Sequence, residues 1–182
     1  DGARDQPMTP TPIARLLDDH RLILRALGVL ETAAAHPEGG ASPPARWWDD
    51  LIGWLRSFAD ANHHDKEERC LFPALAKAGV PEAGGPVAVM LEEHDRGRAL
   101  LRAMESGAAA DRARAVREYV RLLREHIDKE NGVLFPLADA VLDDPARERL
   151  DGELEAVESD GGHGMPRARA EAELDRLAAA LG

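Results

Sequence analysis

The chain has 182 residues, a formal net charge of −11 at neutral pH and one cysteine. That length suits one domain with a sizeable core, and the acidic balance speaks against nucleic acid or an anionic membrane as partner, since both attract basic patches. A lone Cys70 excludes an internal disulfide, no apolar run of eighteen residues is present to span a membrane, and no basic-then-apolar leader opens the sequence, so the cytoplasm is the expected setting.

Ala, Leu, Arg and Glu dominate while β-branched and aromatic residues are scarce, a bias that favours helix. Residues 1–11 are polar, include Pro7 and are expected to form a disordered tail. A first helix should begin at Thr11-Pro12, a cap residue followed by Pro at the first helical position. Its apolar stripe runs Ile13, Leu16, Leu17, His20, Ile23, Leu24, Leu27, Leu30, which puts His20 where a core residue belongs. The breaker cluster His36-Pro37-Glu38-Gly39-Gly40 ends it.

A second helix, starting at Ser42-Pro43-Pro44, turns Trp47, Trp48, Leu51, Trp54, Leu55 and Phe58 inward as packing residues, then His63 and Glu67. It should stop or kink around Pro73 or soon after, and Lys77-Ala78-Gly79-Val80-Pro81 is a clear end. The third helix carries Val87, Met90, Leu91, His94, Gly97, Leu101 and Met104 on one stripe, broken at Ser106-Gly107. The fourth, from about Ala109, has Val116, Tyr119, Val120, Leu123, His126, Glu130, Leu134, Leu137 and Val141 in phase. Four amphipathic helices with short joints predict an all-α protein, an antiparallel four-helix bundle over residues 12–142. Beyond Asp143-Asp144-Pro145 the periodicity weakens. Short helices near 145–158 and 166–181, linked through Asp160-Gly161-Gly162, are expected to pack on the bundle as a C-terminal extension (143–182) without making a second domain.

The chain repeats itself. His63-His64-Asp65-Lys66-Glu67-Glu68-Arg69-Cys70-Leu71-Phe72-Pro73 and His126-Ile127-Asp128-Lys129-Glu130-Asn131-Gly132-Val133-Leu134-Phe135-Pro136 share His, Asp-Lys-Glu and Leu-Phe-Pro at the same offsets. Upstream, Leu17-Asp18-Asp19-His20 parallels Leu91-Glu92-Glu93-His94. The order is therefore a one-His helix and a His-x-x-x-Glu helix, given twice. Residues four apart share one face of a helix, so His20, His63, Glu67, His94, His126 and Glu130 all fall on stripes facing the bundle axis. Four imidazoles and two carboxylates in an apolar interior would cost several kcal/mol unless paired or metal-bound. A pair of cations answers that cost, with the Glu side chains bridging and two imidazoles on each ion. An oxo or hydroxo bridge would complete the pair and leave a position for a small molecule. Imidazole with carboxylate suits iron ahead of manganese or zinc.

Aligning on Leu-Phe-Pro matches His64 with Ile127 and Glu68 with Asn131, which places His64 and Glu68 on the flank, either behind the ligands or, as the first expectation, partly solvated. Cys70 matches Val133 and reads as packing, as does Tyr119, two turns before His126; His36 and His163 lie in loops.

These paired motifs resemble the hemerythrin-like family of HHE cation-binding domains over roughly residues 12–140. The resemblance implies a four-helix bundle around a non-haem di-iron centre, with His20 and His94 as single-His ligands and His63/Glu67 and His126/Glu130 as the paired ones. Oxygen carriers of the family place a fifth His where this chain has Arg98, and end the last motif in Asp where this chain has Glu130. The four-His, two-Glu set is more similar to the branch associated with iron–sulfur repair and stress response. Three functions follow as expectations. The first is binding of, or reaction with, O2, NO or peroxide in sensing or stress defence. The second is iron storage, donation or repair toward a protein partner, and the third a structural metal site without chemistry. No acid–base pair outside the ligand set marks the chain as an enzyme.

Overall fold

The structure is a computed structural model that describes residues 11–35, 43–106, 109–160 and 164–181. The expected tail, Thr11 apart, and both His36 and His163 lie outside the described residues. Among the described residues there is helix and no strand. Helix α1 spans Pro12–Ala35, and the Thr11 Oγ1 caps it by accepting the Ala14 N–H at 3.1 Å. The second rod is continuous through α2 (Ala45–Trp54), π-helical turns at Leu55–His64 and Glu67–Leu71, and α3 (Phe72–Lys77). Helix α4 is Pro86–Ser106. The fourth rod is α5 (Ala109–Lys129), a π-helical turn at Glu130–Leu134 and α6 (Phe135–Val141). The extension forms α7 (Asp144–Asp160) and α8 (Arg167–Ala179).

The second rod, expected to stop or kink near Pro73 or soon after, runs on to Lys77, and the fourth continues to Val141 as its periodicity implied; each Leu-Phe-Pro is absorbed by a π turn. Pro73 and Pro136 offer no N–H to the carbonyl four residues back, and their rings would press on it. Widening the helix by one residue removes the conflict, and the Phe before each Pro donates its N–H five residues back, Phe72 to the Glu67 carbonyl and Phe135 to that of Glu130. The rod ends one turn later instead. Gly79, at φ 92°, allows the Val80 N–H to reach the Leu75 carbonyl at 3.0 Å, a Schellman closure that L side chains resist.

Two apolar clusters show the four rods to be antiparallel. One gathers the end of α1 (Leu27, Leu30), the start of α2 (Trp47, Leu51), the end of α4 (Leu101, Met104) and the start of α5 (Val116, Tyr119). The other gathers the opposite ends, among them Ile13, Leu75, Val87 and Ala138. Leu24 and Leu91, expected on the inward stripes, sit at their outer edge and are exposed. Between the clusters lies a buried polar layer: Asp19, His20, Asn62, His63, His64, Lys66, Glu67, His94, His126 and Glu130.

The extension covers one side of this bundle. Helix α8 lies on α1 and α2, where the Trp47 and Trp54 indoles donate to the Leu177 and Ala170 carbonyls at 3.0 and 2.8 Å. Helix α7 packs on α1 and on the Glu67–Leu71 turn.

Candidate metal centre

The polar layer is organised around two carboxylates. Glu67 lies between rods, with Oε1 3.6 Å from His63 Nε2 and Oε2 3.4 Å from His94 Nε2. Glu130 does the same between the fourth rod and α1, with Oε1 3.2 Å from His126 Nε2 and Oε2 3.1 Å from His20 Nε2. Both Glu residues begin a π turn, the local geometry that also accommodates the following Pro. Two sets of donor atoms result, each within 4.8 Å of one another: His20, His63, Glu67 and Glu130 in one, and His64, Glu67, His94 and His126 in the other.

The four imidazoles on these carboxylates are each turned by an acceptor on the far side of the ring. Asn131 Oδ1 accepts from His20 Nδ1 at 2.7 Å and Glu68 Oε1 from His94 Nδ1 at 2.7 Å. Asp19 Oδ2 faces His63 Nδ1 at 3.5 Å and Glu93 Oε2 accepts from His126 Nδ1 at 2.9 Å. With Nδ1 protonated toward these oxygens, each Nε2 lone pair points to the centre, the arrangement that orients metal-ligating histidines. The next layer repeats too. Lys66 donates to Asp19 at 3.0 Å, and Lys129 pairs with Glu93. Arg98 holds Glu68 at 2.6 Å and Asp60 at 2.8 Å.

The outer groups had a visible signal: the acceptors are the acid before each single His (Asp19, Glu93) and the residue after each motif Glu (Glu68, Asn131), and the donor behind each acid is the Lys of Asp-Lys-Glu. Glu68 does lie at the flank, its side chain about a quarter exposed, and it backs His94. His64 does not. Expected to be partly solvated, it is buried inside the layer, 3% exposed. It closes the π-helical turn Leu55–His64 and is buried as deeply as the matched Ile127 of the α-helical α5.

Charge and burial compete throughout. Burial pulls the His20, His94 and His126 imidazoles down, but the facing carboxylates outweigh it and raise all three, His126 to about 10. Glu130 is driven the other way, its burial penalty overcome by His126 and His20. Asp19 sits at about 2 because His63 and Lys66 outweigh its burial. His64 is lowered well below the ordinary value by burial and by the His94, His126, His63 and Arg98 charges.

Whether a cation fits is answered by the orphaned atoms. Both oxygens of Glu67 and of Glu130, Nε2 of His20 and of His63, and both nitrogens of His64 are buried without a hydrogen-bond partner. Such atoms are rare in folded proteins and costly, about 1–3 kcal/mol each and more for charged groups. Converging oxygen and imidazole donors on a shared centre are relieved by cations, and the donor chemistry suits iron, manganese or zinc. Tyr119, by contrast, is buried in the apolar cluster beside α4, as packing.

Comparison with known proteins agrees with this geometry. The model of the hemerythrin HHE cation binding domain matches residues 11–138, and the chain belongs to that family. An iron-sulfur cluster repair protein, YtfE, of Musicola paradisiaca is 30% identical over 151 residues, covering 72% of this chain and 64% of that protein. The protein of the same name from Cronobacter sakazakii is 36% identical over 143 residues, covering 69% and 62%. An uncharacterized protein of Mycobacterium tuberculosis is 26% identical over 146 residues, covering 75% and 56%. The chain thus spans less than two thirds of the length of these relatives. No solved structure matches it. No helix among the described residues is long and apolar enough to cross a membrane.

Proposed function

We propose that this hemerythrin-family chain is a non-haem di-iron protein that binds or reacts with a small molecule, O2, NO or peroxide, in sensing or stress defence. The observation that carries this reading is the pair of carboxylates, Glu67 and Glu130, each with its two oxygens turned to imidazoles of different rods and all four oxygens otherwise unpaired. His20, His63, Glu67, His94, His126 and Glu130 would hold the ions, with the carboxylates shared between them. An iron pair bound there supplies reversible electron exchange with a small ligand. The chain's own part is to fix and shield. Asn131, Asp19, Glu68 and Glu93 hold the imidazoles in one tautomer, Phe135 stacks on His20 and Phe72 on His94, and the two apolar clusters keep bulk water from both ends of the layer. Adding NO or O2 anaerobically to the ferrous protein should change its optical spectrum; an unchanged spectrum at two irons per chain contradicts the reading.

A second reading, iron donation or iron–sulfur repair toward a protein partner, is favoured by the likeness to two proteins named for iron-sulfur cluster repair. It predicts transfer of iron to an apo cluster protein faster than the chain unfolds. A structural ion without chemistry predicts a large fall in melting temperature on iron removal and no ligand response.

A further inference from the structure

His64 stands apart from the other four imidazoles of the layer. Each of those has Nδ1 on an outer oxygen and Nε2 on a central carboxylate. His64 has neither: its nearest acceptor, Asp60 Oδ1, is 3.4 Å from Nδ1 but poorly directed, and both ring nitrogens are left without a hydrogen bond. A buried imidazole in that state is destabilising unless something else takes a lone pair. Packing alone does not explain the residue, because the matched position of the second repeat is filled by Ile127, equally buried and needing no partner. The His64 ring stacks on His94 at 3.8 Å and meets His126 edge-on at 5.6 Å, so it leans toward the second donor set, the one it shares with Glu67.

We propose that His64 is a third imidazole ligand to one of the two ions, which makes the pair unequal. His64, His94 and His126 would serve one ion and His20 and His63 the other, with Glu67 and Glu130 shared. This rests on the di-iron reading above.

The test uses the whole chain reconstituted with ferrous iron. The wild type should show two Mössbauer doublets of equal area and different splitting. His64→Ile, which copies position 127, and His64→Gln should bring the doublets together and speed chelator removal of one iron of the two by at least about tenfold, the scale of losing a group that supports a metal site. A single doublet in the wild type, or two irons with unmoved spectra and removal rates in both variants, overturns the role of His64. The wild-type spectrum decides even if neither variant folds. A wild type that takes up fewer than two irons overturns the di-iron reading itself, and this proposal with it.

Discussion

The two repeats place the same groups at the same offsets, yet the molecule treats them differently. Around the second repeat, Glu93 accepts from His126 and pairs with Lys129, whose side chain is 41% exposed. Around the first, Lys66 is 5% exposed and joins Asp19 to Glu158 of α7 at 2.7 Å. Arg167 of α8 adds a contact to Asp19 at 3.2 Å, and its N–H donates to Glu158. Just before α8 the backbone closes on the π turn itself. The Met165 N–H donates to the Ser57 carbonyl at 2.8 Å, and Asn62 Nδ2 donates to the Met165 carbonyl at 3.1 Å. Gly164 is needed for that approach, since a Cβ there would lie 2.5 Å from the Ala61 carbonyl oxygen. The extension therefore locks the His63 side of the layer and leaves the His126 side to a solvated ion pair. Equal sequence motifs acquire unequal support from what packs on them.

The largest expected effect is one the halves should share. Glu67→Ala removes a carboxylate that belongs to both donor sets, and Glu130→Ala one that reaches His20 in the first set and His126 in the second; iron content should fall to one ion or none in either variant, and loss in one variant only would mean that the carboxylates are not shared equally. Next, Lys66→Ala removes the buried cation between Asp19 and Glu158, leaving Asp19 to His63 and Arg167, and should cost about 3 kcal/mol, whereas Lys129→Ala breaks a solvated pair worth about 1 kcal/mol or less. Thermal melts of the iron-free proteins should differ accordingly, by roughly 6–12 °C against 4 °C or less. Equal losses would dissolve the contrast.

Asp19→Asn and Glu93→Gln should each weaken iron binding by roughly 10–100-fold, as expected for partners that orient ligating histidines. Glu158→Gln should reproduce part of the Asp19→Asn effect and none of the Glu93→Gln effect, readable in chelator competition. The smallest effect concerns a surface that α7 covers. Cys70 is buried against Leu150 and Leu154, while its counterpart Val133 is 58% exposed. Burial raises the Cys70 thiol to about 11, so alkylation at pH 8 should be slow and should keep rising with pH past 9. A thiol placed on the other repeat by Val133→Cys in a Cys70→Ala background should react much faster; comparable rates would mean that α7 does not shield that face.

Much of this was legible in the chain. Apolar periodicity marked the four helices, and the doubled motif singled out His20, His63, Glu67, His94, His126 and Glu130, because two copies at fixed offsets are hard to reconcile with surface decoration. What was not legible came from departures from that regularity. Matching the repeats made His64 look peripheral, since Ile127 carries no donor, and α-helical spacing gave no reason for two adjacent histidines to face one centre. The first Leu-Phe-Pro reads as a stop or kink near Pro73 unless the π turn that accommodates it is considered. The role of α7 and α8 rests on Glu158, Gly164 and Arg167, single residues in a segment of weak periodicity.

The central claim is that side chains from four rods enclose a pair of ions. Iron and protein should be quantified in the same sample after anaerobic reconstitution with ferrous iron and removal of loosely held metal. Two irons per chain in the wild type, falling in Glu67→Ala, is the result predicted here. An iron-free chain, or iron at a level that Glu67→Ala leaves unchanged, would contradict it.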